Sequence, residues 1–191
     1  MIRSSKRQDI VAAALSLLAE GGSEALTASA LAARAGVSKA NVFHHFERLD
    51  DIVVEALDAF IMSMPSMWPA PGTTVRDWLA ALGADTTASM DADPALAGAY
   101  LAFVARAQGN PALRQRLAEV AQAARAHMEA VLMQLAPARF TPQEVGAVTG
   151  LILLAGDGLA LHRQLFPERG AEQAAAWAAL VDRIAPKEDS Q

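Results

Sequence analysis

Residues 27–46 read TASALAARAGVSKANVFHHF, and this stretch decides the fold because it spells two short helices joined by a tight turn. Thr27 is a good N-cap ahead of the small-residue run Ala28, Ala30, Leu31, Ala32 and Ala33, which favours helix and lets a neighbouring helix come close. Gly36 stands where a helix commonly ends in the left-handed conformation, and Val37 can turn inward to fill the gap between the two helices. Ser38 then caps a second helix, in which Val42 and Phe46 fall four apart on one face while Lys39, Asn41 and His44 lie on others. A helix-turn-helix lays such a second helix in the DNA major groove, with its N-terminal residues nearest the bases and backbone. An ordinary helical hairpin with solvated polar side chains shows the same local pattern, so context has to separate the two.

That context lies just upstream. Ser5, with Gln8 three residues on, predicts a capped helix from Lys6 to Glu20 with a basic start at Arg3, Lys6 and Arg7. Ile10, Ala14, Leu17 and Leu18 recur at helical spacing, and Gly21-Gly22 ends the run. Three helices then share one small core close to the N-terminus.

Taken together, IVAAALSLLAEGGSEALTASALAARAGVSKANVFHHFERLDDIV (residues 10–53) resembles the tetracycline-repressor-like (TetR) family of transcriptional regulators. The order of helix, Gly-containing turn, Thr-capped helix, AGVS turn, recognition helix and HF matches in several linked features. The rest of the chain resembles the family more loosely, in length and helical character, with GDGLALHRQLF similar to the eighth helix of some subfamilies. The resemblance implies an all-α fold of about nine helices, with a helix-turn-helix domain at 1–48, a helical regulatory and dimerisation domain at 49–186 and a tail at 187–191. It also implies DNA contacts by Thr27, Ser38, Lys39, Ala40, Asn41, Phe43, His44, His45 and Arg48. Two residues depart from the family pattern. Phe43 stands where relatives usually have a Tyr whose hydroxyl bonds a phosphate, and Leu49 where they usually have Lys. Phosphate contacts set affinity and register rather than sequence preference, so these losses are expected to weaken binding and flatten its salt dependence. Arg48 is placed to substitute for Leu49.

Charge follows the same division. The chain carries net −5, against a general coating of nucleic-acid affinity. Residues 1–48 nevertheless hold Arg3, Lys6, Arg7, Arg34, Lys39 and Arg48 against Asp9, Glu20, Glu24 and Glu47, with His44 and His45 in addition, so the acidity lies in the remainder. There is no cysteine, which excludes disulfides and thiolate metal sites. RSSKRQ leads into an amphipathic helix rather than a secretory signal, so a cytoplasmic protein is expected. No metal or cofactor is expected either.

Beyond the head, a linking helix from Asp50 to Met62 should bury Ile52, Val53, Ala56, Leu57 and Phe60. The segment MPSMWPAPG breaks helix and reads as a loop before a helix from Val75 to Met90. Asp93-Pro94 opens a helix to Gln108, and Asn110-Pro111 opens a long one to Leu135. Thr141-Pro142-Gln143-Glu144 is a strong start signal for a helix to Phe166, a last helix spans Ala171 to Ile184, and KEDSQ should fray.

VGAVTGLILLAGDGLAL (residues 145–161) is apolar or small nearly all round, so its helix must be covered on several sides. A membrane span is disfavoured by its shortness, by Asp157 and by the lack of a comparable partner helix. Gly146 and Gly150 are expected to mark a close helix approach. In the resembled family the last two helices pair with those of a second subunit, which implies a homodimer with Leu151, Leu154, Leu161, Leu165, Trp177 and Leu180 at the interface; the alternative is that this face closes the chain's own core. Two heads about 34–36 Å apart would then meet successive major grooves of a palindromic operator in double-stranded DNA. The resemblance also implies a small-molecule effector pocket, with Trp68, Trp78, Tyr100, Phe103, Met128 and Met133 as candidate liners and His127, Asp157 and His162 as polar groups. Core packing is the competing account for each aromatic and Met, and a structural partner competes with a cationic ligand for Asp157.

No catalytic constellation is present: His44 and His45 are adjacent, His127 and His162 lack metal-site spacing, and there is no phosphate-binding Gly loop or GxSxG. The reading is therefore a ligand-responsive DNA-binding regulator, acting as a repressor, rather than an enzyme. The alternative is a dimeric helix-turn-helix protein that binds DNA weakly and works through protein contacts.

Overall fold

The computed structural model describes residues 5–63 and 68–186, with the side chains of residues 95–97 excepted. Arg3, the first part of the Pro-rich loop and the tail 187–191 therefore lie outside the described residues. Among those described are nine α-helices and no strand: α1 (Lys6–Ala25), α2 (Ala28–Ala35), α3 (Lys39–His45), α4 (Leu49–Ser63), α5 (Val75–Ala92), α6 (Pro94–Ala107), α7 (Pro111–Leu135), α8 (Pro142–Leu165) and α9 (Gly170–Ile184), with one 3₁₀ turn at Pro167–Arg169. They form two compact units, one of residues 1–65 and 93–119, the other of 66–92 and 120–191.

Local chemistry sets the helix ends. Ser5 Oγ accepts from the Gln8 N–H at 3.3 Å and Gln8 Oε1 from the Ser5 N–H at 2.9 Å, so the predicted capping box opens α1. The predicted stop is a break rather than an end: Gly22 sits at φ 64° and one further turn carries the helix to Ala25. Asn110, 5% exposed, caps α7 by accepting the Leu113 N–H at 2.9 Å. Thr141 and Glu144 form a second capping box at α8, where the Thr141 backbone N–H, 2.8 Å from Glu144 Oε2, holds that carboxyl below its ordinary range.

In the first unit the core is Ile10, Leu18, Leu31, Val42, Ile52, Leu57, Phe103 and Leu113, all fully buried. The buried stripe of α4 is the predicted one. α6 and the first turns of α7 belong to this unit and steady it: Arg106 donates to Ser23 O at 3.3 Å and reaches Asp50 at 3.3 Å, and Arg116 bonds Asp58 at 2.7 Å. Arg34 pairs with Glu20 at 2.7 Å and also donates to Ser16, tying α2 to α1. The Arg34 hydrogen bond, with help from Ser16, lowers the Glu20 carboxyl from 4.5 to about 2. A depressed carboxyl contributes stability that is complete above its unfolded value and lost as pH falls through its folded one. The difference in thermal midpoint between the protein and Glu20→Gln should thus be constant above about pH 5 and shrink between about pH 4.5 and 2. A difference independent of pH over that window would show that the pair does not hold in solution.

The second unit is built around Trp78, Leu79, Met128, Val131, Leu132, Ile152, Trp177, Val181 and Ile184. The Trp177 indole N–H donates to Leu79 O at 2.8 Å, and its ring fills the space a Cβ would need at Gly83. α8 is the one described helix long and apolar enough to cross a membrane, yet it packs inward through Val145, Thr149, Ile152 and Leu159. Gly146 and Gly150 are expected to admit a helix backbone, but side chains lie over them instead: Glu129 over Gly146 and the Arg125 guanidinium over Gly150, with Arg125 also donating to Gly146 O at 3.1 Å. A Cβ at Gly156 or Gly158 would meet open space within this chain.

Candidate nucleic-acid interface

The head is assembled by three short-range devices. Thr27 Oγ1 accepts the Ala30 N–H at 3.2 Å and so starts α2. Gly36, at φ 63° and ψ 38°, ends that helix in the left-handed region, where a side chain would be strained. The Val37 N–H then returns to Ala32 O at 3.0 Å, and Ser38 Oγ starts α3 by accepting the Asn41 N–H at 3.1 Å. The turn leaves α3 little freedom. Val42 and Phe46 are its inward anchors, 0% and 3% exposed.

α3 is also held at its far end. The Arg7 guanidinium lies over the Phe46 ring at 4.0 Å, donates to His45 O at 2.5 Å and pairs with Glu55 of α4. Arg7 thus fixes α3 from α1, where the sequence alone marks it only as a basic residue near the N-terminus. Contacts spanning 38 and 48 positions leave no local signal.

Lys39, Ala40, Phe43 and His44 are exposed on one outward face of α3, with the capping Ser38 beside them and Thr27 exposed at the start of α2. Asn41 is half-buried, with its Oδ1 buried and without a hydrogen-bond partner among the described residues. His45 is half-buried, its ring 5.3 Å from that of His44. Arg48 is 73% exposed and lies 3.4 Å from Asp50. Leu49 is half-buried and packs on the core, so it offers nothing outward. Lys39 makes no ion pair among the described residues, whereas Arg7 and Arg34 are engaged inside the unit. The outward face is therefore only mildly cationic.

The nine candidate effector residues are divided between the two units. Phe103 is fully buried beside Phe60, with ring centroids 5.8 Å apart, and Tyr100 packs on the same core, so both belong to the first unit and serve as packing. Trp78 and Met128, each 4% exposed, are core residues of the second unit. Trp68 is largely exposed and stands edge-on to the His127 ring at 4.1 Å, while His162 lies against Phe166. Asp157 is exposed rather than enclosed in the apolar helix. Met133 is 38% exposed. A cavity of about 180 Å³ between α5 and α9, lined among others by Ala80, Gly83, Thr87 and Trp177, touches none of the nine.

Of the six expected interface residues, Leu151, Leu154, Leu161 and Leu165 are exposed on α8, Leu154 to 74%. Trp177 is instead buried in the second unit's own core, held by its indole hydrogen bond, and Leu180 is half-buried against that core. The outward face of α9 instead carries the small residues Ala171, Ala175, Ala178 and Ala179, together with Glu172 and Asp182.

Comparisons with known proteins agree with this geometry. A family model described as bacterial regulatory proteins of the tetR family matches residues 10–56, and one described as the C-terminal part of BetI-type transcriptional repressors matches residues 75–186. No curated protein matches. Among solved structures, a transcriptional regulator from Rhodococcus sp. Rha1 is 26% identical, with 94% of this chain and 96% of that chain covered and a TM-score of 0.79. A TetR transcription regulator from Haloarcula marismortui is 22% identical over 94% and 97% of the two chains, with a TM-score of 0.74. FadR from Bacillus subtilis, solved in complex with stearoyl-CoA, is 16% identical over 95% and 99%, with a TM-score of 0.69. With the first family model lying across α1 to α4 and the second extending over more than half of the chain, this all-helical protein belongs to the TetR family and is a DNA-binding transcriptional regulator, not an enzyme.

Proposed function

We propose that the protein is a cytoplasmic repressor that binds a palindromic operator as a homodimer and is released by a small-molecule effector. The observation that carries this reading is the row Leu151, Leu154, Leu161 and Leu165, exposed along α8 at steps of three, seven and four residues with Gly158 in the gap. Such a heptad-like apolar seam in contact with water favours a second helix against it. The outward alanines of α9 and the open space over Gly156 and Gly158 suit close approach by that partner. A two-fold dimer presents two α3 helices to two half-sites.

Support for an effector comes from the second unit, where His127 Nε2 and Thr149 Oγ1 are buried without hydrogen-bond partners among the described residues. Buried polar atoms of this kind are unusual unless something else satisfies them. The same fold carries stearoyl-CoA in FadR.

A second reading, weak DNA binding with action through protein contacts, is favoured by the mild charge of the α3 face, by Phe43 and by the inward Leu49. Fluorescence anisotropy with the promoter flanking its own gene separates the two. Low-salt binding is expected; its absence, while an unrelated dimeric regulator binds its own site, would leave only the second reading. Lys39→Ala should weaken binding about ten-fold and lower the salt slope by about one, because a phosphate contact releases roughly one counterion. Unchanged affinity would remove Lys39 from the interface.

A further inference from the structure

The outward face of α3 consists of Lys39, Ala40, Phe43 and His44. None of the four carries the side-chain amide that pairs with adenine, and the one amide on this helix, Asn41, has its Oδ1 buried. At the centre of the face are instead two apolar residues. Phe43 is 48% exposed, and Ala40, three positions earlier, lies on the same side of the helix. A single exposed Phe is ordinary on a protein surface. This one falls in sequence between a cation, Lys39, and the exposed Arg48 beyond the helix end, on a seven-residue helix about 10 Å long, which fits a major groove about 12 Å wide. In that groove the apolar group displayed on a base edge is the thymine C5-methyl, and Ala and Phe are among the side chains that meet it.

We propose that Ala40 and Phe43 read thymine methyl groups, so that each operator half-site carries thymine under the centre of α3. The inference rests on the DNA-binding reading above and deepens it. Three residues of helix advance about 4.5 Å, a little more than one base-pair step of about 3.4 Å, so the pair spans one or two adjacent base pairs. Lys39 and His44 flank the patch and supply the polar contacts to backbone and neighbouring bases. Cytosine in place of thymine removes the methyl and puts an amino donor against the ring, so the face discriminates by what it leaves unpaired as well as by what it covers.

The test uses the full chain and a pool of duplexes randomised in their centre, from which the protein selects its preferred site. Each thymine of the recovered duplex is then replaced by deoxyuridine in both half-sites, which deletes the methyl and nothing else. Replacement at one position or more is expected to weaken binding about fifteen-fold, from roughly four-fold per buried methyl acting twice. In Phe43→Ala, measured at low salt, the ratio between the thymine and uracil duplexes should fall to near one. In Lys39→Ala both duplexes should weaken with the ratio kept. Uracil duplexes that all bind within two-fold of their parent, or a ratio unchanged in Phe43→Ala, overturn the inference while leaving DNA binding intact. A selection that enriches no duplex removes the DNA-binding reading itself, and this inference with it.

Discussion

Leu154→Arg should convert the protein from a dimer to a monomer at micromolar concentration and weaken operator binding at least a hundred-fold. Leu154 is 74% exposed in the single chain, so the guanidinium costs the isolated subunit little and the fold should survive. In an association through the α8 leucines the same charge would be buried against an apolar partner, twice by symmetry. An unpaired buried charge costs about 3–5 kcal/mol, which is about two to four orders of magnitude in a dissociation constant. A monomer engages one half-site where the dimer engages two, and the lost linkage lowers affinity for the palindrome without altering α3. Sedimentation equilibrium and circular dichroism together decide the matter. A Leu154→Arg protein that remains dimeric, with unchanged thermal midpoint, would place the association surface elsewhere. Aggregation of the unsubstituted chain, relieved by the substitution, would instead mean that the seam is merely sticky.

The parts of this fold legible in the sequence are those written in short-range chemistry. Ser5 with Gln8, Thr27, Gly36, Ser38, Asn110 and Thr141 with Glu144 each act within four residues of themselves, and each appears in the structure as the cap or turn that its side chain or backbone freedom requires. The stripe on α4 was equally readable, because polar residues separate its apolar ones. Periodicity gave out where every face of a helix is apolar or small. On α9 the inward set is Gln173, Trp177, Val181 and Ile184, while most of the outward set in its first turns is alanine, and hydrophobicity alone does not separate an alanine face from a core face. Trp177 therefore looked like an anchor for a partner when it is an anchor for α5. The scatter of the effector candidates has a similar cause. Tyr100 and Phe103 sit on α6, which joins the compact unit of the head although 28 residues separate it from the end of that unit's first segment, and no local pattern announces that pairing. On α3, spacing separated Val42 and Phe46 from the rest, but it did not show Asn41 turning its carbonyl inward or leave Phe43 visible as part of an apolar reading face.

Trp177→Ala should lower the thermal midpoint by roughly 10 °C while leaving the association state unchanged. The indole is 8% exposed, donates its N–H to Leu79 O and occupies the space that Gly83 leaves open on α5. Truncation deletes a buried indole at the α5–α9 contact that Gly83 cannot refill, so a cost of about 3–5 kcal/mol is expected, and in a chain of this size each kcal/mol shifts the midpoint by about 2–4 °C. Trp177→Phe keeps most of the packing and loses the hydrogen bond, for a smaller loss of about 1–2 kcal/mol. Gly83→Ala approaches the same contact from the other side, since its methyl would collide with the ring, and it should destabilise by a comparable 1–3 kcal/mol. Two neighbours sharing one contact do not add, so the double variant Trp177→Ala with Gly83→Ala should be more stable than the sum of the single losses predicts, because the new methyl fills part of the void left by the indole. Equality with that sum would mean that the two side chains do not meet in solution. A midpoint unmoved in Trp177→Ala, together with a dimer that falls apart on dilution, would return the residue to the interface between subunits.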